Sequence, residues 1–228
     1  NYIKLFTDTS ILNFPKMFMN TFVIAIFTCI ISTIFVLSVA YSMSRIRFKM
    51  RKPFMNIAMI IGLFPSFMSM IAVYYILRAL NLADGAMIRV ALIIVFSAGS
   101  GAGFYVAKGF FDTISKSLDE AAIIDGATRW NVFTKITVPL SKPIIVYTIL
   151  TSFMGPWVDF IFGKVICRAD AQYYTVSIGL WKMLEKEYID SWYTCFAAGA
   201  VVVSIPIAIL FLMTQKFYVE GMTGAVKG

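Results

Sequence analysis

"FVIAIFTCIISTIFVLSVA", residues 22–40, contains no Asp, Glu, Lys or Arg and is apolar on every side. A strand crossing a membrane would be ~10 residues of alternating polarity, so this run reads as a helix. It lies inside a charge-free stretch, 17–44, that exceeds the ~20 residues needed to carry a helix across ~30 Å of hydrocarbon. Further charge-free stretches cover 53–77, 90–107 and 191–215, and 143–163 is interrupted only by Asp159. The chain as a whole is 228 residues with 60% apolar content and a mean hydropathy of +0.82, well above the roughly 45–50% of a soluble domain. No soluble remainder is left to bury these runs. The expected fold is all-α, a polytopic membrane helix bundle with five transmembrane helices.

Lys and Arg are retained on the cytoplasmic side of short loops, and "RIRFKMRKP" carries Arg45, Arg47, Lys49, Arg51 and Lys52. With that loop inside, alternation places 1–19, 78–89 and 164–190 outside, and 108–142 and the tail 216–228 inside. The basic count is then twelve inside against eight outside. The expected organisation is an extracytoplasmic segment 1–19, a transmembrane domain 20–215 and a cytoplasmic tail 216–228. The net charge of +8 is accounted for by this topology in a lipid membrane, with no need of nucleic acid as a partner. The tail's "EGMTGAVKG" has too little apolar content to fold alone and is expected to be ordered by a partner. Cys167 is expected outside and open to an impermeant maleimide.

Catalytic chemistry has little to work with. Histidine is absent, and Cys29, Cys167 and Cys195 form no CxxC or metal-spaced cluster, which argues against a zinc site and a His-based triad. No catalytic residue and no metal ligand is assigned. "GSGAGF" (99–104) could pass for a nucleotide loop, but a phosphate cradle needs a strand before it and a helix after it. Here Gly99 and Gly103 are read as small residues within one apolar helix, where they would let helices approach closely.

Breakers mark a possible pathway: Gly62 and Pro65, Gly155 and Pro156, and Pro206. Proline removes a donor and frees carbonyls that must find partners in protein or in a water-filled path. Asp159 follows one such break, and an ionisable group in the membrane costs at least ~2.5 kcal/mol on insertion scales. It is either a structural hydrogen-bond partner or part of a hydrated route. Trp157 and Phe160 flank it, as an aromatic face for a sugar or as interfacial aromatics.

The one polar helical stretch is "SLDEAAIIDGATRWNVFTKITVPL", residues 117–140. Ser117 and Glu120 have the spacing of a capping box, Gly126 suits the left-handed position past a helix end, and Thr128 can cap a second helix. In that second helix Trp130, Phe133 and Ile136 are spaced to share one face, with Pro139 and Pro143 ending it. Two short helices at an angle make a cytoplasmic knob. Because Asp119, Glu120 and Asp125 would face an anionic leaflet, a protein partner is expected for it.

These residues resemble a known pattern. Glu120-Ala121-Ala122, three residues, Gly126, nine residues, Ile136, one residue, Val138-Pro139 is similar to the EAA loop of permease subunits in binding-protein-dependent ABC importers. "DGATRWNVFTKITVPLSKP" (125–143), Trp157 with Asp159 and Phe160, "TVSIGL" (175–180) and "QKFYVEGMTGAVKG" (215–228) resemble the carbohydrate branch and its maltose-type second permease subunit. The likeness runs from about residue 20 to the C-terminus. It departs at Ser115 and Val138, where the family often has proline and leucine, and the first of the family's six helices is expected to be missing.

The resemblance implies the type I ABC importer permease fold in a bacterial cytoplasmic membrane. It implies as partners a second permease subunit, two ATPase subunits and an extracytoplasmic sugar-binding protein. It makes 115–140 the ATPase-coupling loop, carried by Glu120, Ala121, Ala122, Asp125, Gly126, Trp130, Phe133, Ile136 and Pro139. Trp157, Asp159 and Phe160 become substrate-pathway residues. This chain has no GxxxxGK phosphate loop, so ATP and Mg would be bound by the partner ATPases, and this subunit would be no enzyme and hold no cofactor. An ion-coupled secondary transporter, or an ABC permease for a non-carbohydrate solute, remains the alternative.

Overall fold

The computed structural model describes residues 1–63, 65–99, 103–168 and 170–225. Among them every regular element is a helix.

A short helix α1 (Tyr2–Thr7) precedes α2 (Phe14–Arg45), which is capped by Asn13 accepting from the Lys16 amide at 3.0 Å. Its buried positions Met17, Thr21, Ile24, Ala25, Thr28, Ser32 and Val36 recur at three- and four-residue steps and so form one stripe. The other faces leave Phe27, Ile30, Ile31, Ile34 and Phe35 exposed, the surface a membrane helix turns to lipid. Then come α3 (Arg51–Gly62), α4 (Ser66–Ala79), α5 (Met87–Gly99) and α6 (Gly103–Thr113), followed by the first hairpin helix α7 (Lys116–Ile124). Next are α8 (Arg129–Val132), a π turn Phe133–Thr137 and α9 (Val138–Leu140), then α10 (Lys142–Val158), α11 (Ile161–Cys167), α12 (Val176–Met183) and the last helix α13 (Ile189–Ala225).

α2 is the axis of the bundle, packed against α5, α6, α10 and α12. Two apolar clusters line it. Near its start, Phe14, Met17 and Ile24 pack with Phe153, Trp157, Val176, Trp192 and Cys195, and near its end Val36, Leu37 and Tyr41 pack with Phe104, Phe111 and Ile144. The expected 1–19 segment is folded rather than loose: Leu5 of α1 is fully buried, and Lys4 donates to the Ser191 carbonyl at 2.9 Å while lying over the Trp192 ring.

Polar bonds fix the outer end of α2. The Asn20 amide donates to the carbonyls of Gln172 and Tyr174 at 3.0 and 3.2 Å, and its oxygen accepts from Arg89 Nε at 3.0 Å. At the next residue, Thr21 Oγ1 accepts the Val176 amide at 2.8 Å.

Among the described residues, α2 and α13 are the single helices long and apolar enough to cross a membrane. The 90–107 stretch falls on α5 and α6, whose axes differ by 44°, and the hairpin's second arm turns into α10 through 82°. The 53–77 stretch is split into α3 and α4, with Pro65 as the residue before α4. Breaks therefore occur near Gly62–Pro65 and after Pro156, as the breakers suggest. Pro206 differs, for α13 runs through it.

Two readings of glycine are corrected. Gly99 is the last residue of α5 and Gly103 the first of α6, the two axes differ by 44°, and 100–102 lie outside the described residues. A Cβ on Gly99 would meet nothing within 4 Å. Close approach happens instead at Gly179 and Gly199, where a Cβ would sit 2.5 Å from Met17 Sδ and 2.7 Å from Leu180 Cδ2. In the tail the backbone of α13 stays helical to Ala225, and residues 226–228 lie outside the described residues.

Cys167 is corrected too. It is 1% exposed, its thiol donates to the Tyr173 carbonyl at 3.3 Å, and burial pushes it up to about 12. The thiolate is the reactive form, so an impermeant maleimide at neutral pH is expected to leave Cys167 unmodified in intact cells, and rapid labelling would contradict this packing. For the glycines, Gly199→Val should lower the melting temperature of the purified protein through an overpacking cost of about 1–3 kcal/mol. Gly99→Ala should not.

Candidate coupling site and translocation path

The hairpin begins where α6 ends. Ser115, not Ser117, caps α7: its hydroxyl accepts the Ser117 amide at 3.3 Å, and Ser117 stands inside the helix. The expected Ser117–Glu120 capping box is thus replaced by a cap two residues earlier, at the position where the family often has proline. At the other end Gly126 has φ +85. The Ala127 amide donates to the Ala122 carbonyl at 2.9 Å and the Gly126 amide to the Ile123 carbonyl at 3.0 Å, the paired bonds of a Schellman ending. Thr128 then caps α8 by accepting the Asn131 amide at 3.2 Å.

The second arm is not a plain helix. The Val138 amide reaches back to the Phe133 carbonyl, a π-type bond, and Pro139 next to it has no amide to continue the ladder. The chain turns at Ser141, and Pro143 opens α10 near its first turn.

No residue of α7 is buried. Glu120, Ala121 and Asp125 are exposed, Ala122 is half-buried, and Ile124 and Trp130 are 85% and 69% exposed. The expected common face of Trp130, Phe133 and Ile136 is divided. Phe133 and Ile136 are half-buried, with Phe133 4.8 Å from the Tyr41 ring, whereas Trp130 lies outward with its ring 5.7 Å from Phe133. Pro139 is exposed.

What holds the knob is polar. Arg45 Nε lies 3.1 Å from Asp119 Oδ2, the two side chains being 4% and 13% exposed, and Arg45 Nη2 donates to the Ile114 carbonyl at 2.9 Å. Tyr41 donates to the Arg129 carbonyl at 3.2 Å, and Ser44 to Asp112 at 2.6 Å. Breaking so buried a pair by removing one partner costs about 3–5 kcal/mol. A cleft of about 370 Å³ beside this latch is lined by Arg47, Arg51, Lys116, Glu120 and Arg129, among others. Sequence reasoning missed the latch because Arg45 looks like one more basic residue of an inside loop.

Across the membrane a second cavity, about 850 Å³ and mainly apolar, lies between α4, α5 and α10, with Val73, Ile94, Phe96, Ser152, Gly155 and Asp159 among its walls. Asp159 serves locally as well, since its Oδ1 accepts the Gly163 amide at 3.0 Å and so caps α11. Trp157 is not beside it in the cavity wall. It is 2% exposed and packs among Phe18, Phe22 and Phe153 with ring separations of 5.2, 6.4 and 5.9 Å. Phe160 packs on Trp181 at 5.0 Å. Of the three expected pathway residues, the structure brings only Asp159 to the cavity.

Residues 34–222 match the family model described as "Binding-protein-dependent transport system inner membrane component". The chain belongs to this family. It is an inner-membrane component of a transport system, similar over its whole length to the galactooligosaccharides transport system permease protein GanQ of Bacillus subtilis (34% identity, 100% of this chain, 80% of the relative). The maltodextrin transport system permease protein MalD of Streptococcus pneumoniae is 32% identical over 100% of this chain and 79% of its own. The crystal structure of a bacterial ABC transporter involved in import of the acidic polysaccharide alginate superposes with TM-score 0.76 at 25% identity, covering 95% of this chain and 78% of that one. The all-helical permease fold is thereby shown, and the family's members are transport permeases, not enzymes.

Asp159→Asn keeps an acceptor for the Gly163 amide and removes only the charge, whereas Asp159→Ala also removes the cap, at a cost of typically ~1 kcal/mol. If the carboxylate serves a hydrated route, Asn should lower uptake with stability unchanged. Uptake intact in Asn and stability lost in Ala would leave Asp159 as a cap alone.

Proposed function

We propose that this chain is one of two membrane-spanning subunits of an ATP-driven importer that moves an oligosaccharide handed over by an extracytoplasmic binding protein. The observation that carries the reading is the hairpin 115–140: two capped helices, joined at a left-handed glycine, that project Ile124, Trp130 and Glu120 from the cytoplasmic face with nothing of this chain over them. Exposed apolar residues beside acidic ones suit a cleft on a soluble protein better than an anionic lipid surface. The names of the relatives, for galactooligosaccharides and maltodextrin, support a carbohydrate as the cargo.

In this reading two ATPase subunits bind ATP and Mg²⁺, and this chain binds neither. Each of its residues acts mechanically. Glu120 offers a carboxylate to a basic residue of the ATPase cleft, Ile124 and Trp130 fill that cleft, and Gly126 sets the angle between the two arms. Closure of the ATPase pair moves the knob as a rigid body, and the broken helices answer by rocking around the cavity that holds Asp159.

Vanadate, which traps ATPases of this kind, should abolish uptake in reconstituted vesicles, and uptake that survives it but collapses with the ion gradient would point to a secondary transporter. Gly126→Val probes the joint. A Cβ there meets no atom within 4 Å, so its cost is backbone strain of roughly 1 kcal/mol or more. The variant should insert at normal levels, bind the ATPase subunits less well and lose most transport. Glu120→Lys should share that phenotype and be rescued by charge reversal on the ATPase, which should not rescue Gly126→Val. Normal transport in both variants would overturn the coupling role.

A further inference from the structure

The hairpin is joined to the membrane part in an uneven way. Because α7 buries no residue, apolar packing does not fix that first arm, while the second arm packs through buried Val132 and through Phe133 on Tyr41; the polar attachments of both arms converge on one place. The last turn of α2 grips the chain before the hairpin, on it and after it: Arg45 holds the Ile114 carbonyl and the Asp119 carboxylate, and Tyr41 holds the Arg129 carbonyl. The opposite end of the same helix is gripped in a similar way. Asn20, 2% exposed, holds the Gln172 and Tyr174 carbonyls and Arg89, while Thr21, fully buried, accepts the Val176 amide. Residues 172–175 belong to the connection between α11 and α12 and Val176 opens α12, at the end of the bundle away from the hairpin.

Between these two clamps α2 is one continuous helix. It contains no glycine and, after Pro15, no proline, whereas α10 carries Gly155-Pro156 and α13 carries Gly199 and Pro206. Kinks and hinges in helices arise at such residues, so of the long helices α2 is the one with no built-in place to bend. Asn20 and Arg45 are separated by roughly 37 Å along the axis at ~1.5 Å per residue, enough to span the hydrocarbon of ~30 Å.

We propose that α2 is the rod that joins the coupling hairpin to the extracytoplasmic segment 172–176, with Arg45 and Asn20 as positioning residues clamping its inner and outer ends. A push on the knob is delivered to segment 172–176 without loss in a flexible joint, and an event at that segment is delivered back to the ATPases, because coupling between two sites is reciprocal. The proposal rests on the coupling role of 115–140 argued above and adds the route by which that role reaches the outer face.

The test uses the whole complex in proteoliposomes, with ATPase rate measured without and with sugar-loaded binding protein, and sugar moved per ATP hydrolysed. Asn20→Leu keeps the branch at Cγ and removes the clamp, and Arg89→Gln weakens the same clamp from its half-buried side should the first variant fold poorly. Both are expected to leave complex assembly and basal ATPase unchanged while stimulation by the loaded binding protein falls about 5-fold or more. Asp119→Asn, at the inner clamp, is expected to retain the ATPase subunits on purification and to move less sugar per ATP. A clamp that serves stability alone would lower the melting temperature and leave both ratios at wild-type values, and that result overturns the proposal. Failure of the premise looks different: Glu120→Lys would then leave the ATPase subunits bound and coupled, which removes the hairpin from the route altogether.

Discussion

A backbone in hydrocarbon must satisfy its own hydrogen bonds, and α2 is where this chain does so without interruption. Its ladder runs unbroken from Phe14 to Arg45, and the other membrane elements are arranged around it. They can be split, bent or turned because α2 is not. The helices with breaks, α3–α4, α5–α6 and α10–α11, pack around or beyond this axis, and the larger cavity lies between α4, α5 and α10. Irregular backbone in a membrane is tolerated where protein or a water-filled cavity receives the freed polar groups. The division of labour is thus physical: one regular helix bears the packing, and the interrupted ones surround the space.

Much of this was legible in the sequence, for reasons that can be named. Charge-free length locates α2 and α13, because a long apolar run has few other uses. The hairpin is legible because capping is local: Gly126 at φ +85 and the Thr128 bond follow from a few neighbouring residues. What is not legible depends on residues far apart in the chain. Ser117 looks like the better cap on spacing alone, yet Ser115 wins once the end of α6 is fixed. Gly99 and Gly103 look like a packing pair, but only Gly103 faces a neighbour, Val36 at 3.8 Å from a Cβ there, and the tightest approach occurs at Gly179 and Gly199, whose neighbours Met17, Phe14 and Leu180 come from other elements.

The polar side chains teach the same lesson. A buried charge must be paired or it is expensive, so Arg45 and Asp119, 74 residues apart, could have been suspected of each other had their burial been known. Trp157 shows the converse error. Beside a carboxylate it looked like a ligand surface, while its ring belongs to the aromatic cluster with Phe18, Phe22 and Phe153. Neighbours along a helix point in different directions, and adjacency to Asp159 says nothing of a shared cavity.

With the hairpin on the cytoplasmic side, as proposed, the packing of the cysteines has a consequence for chemistry at the membrane's other face. Cys167 and Cys195 both lie among the residues around the outer half of α2, and both thiols are free and essentially inaccessible. Extracytoplasmic compartments favour disulfides, and an available thiol there invites mispairing with other secreted chains. By enclosing both sulfurs against backbone carbonyls, of Tyr173 and Asn1 respectively, the fold keeps these two thiols out of reach of a disulfide partner. It needs neither a bridge to hold it together nor a reductant to keep it apart from its neighbours.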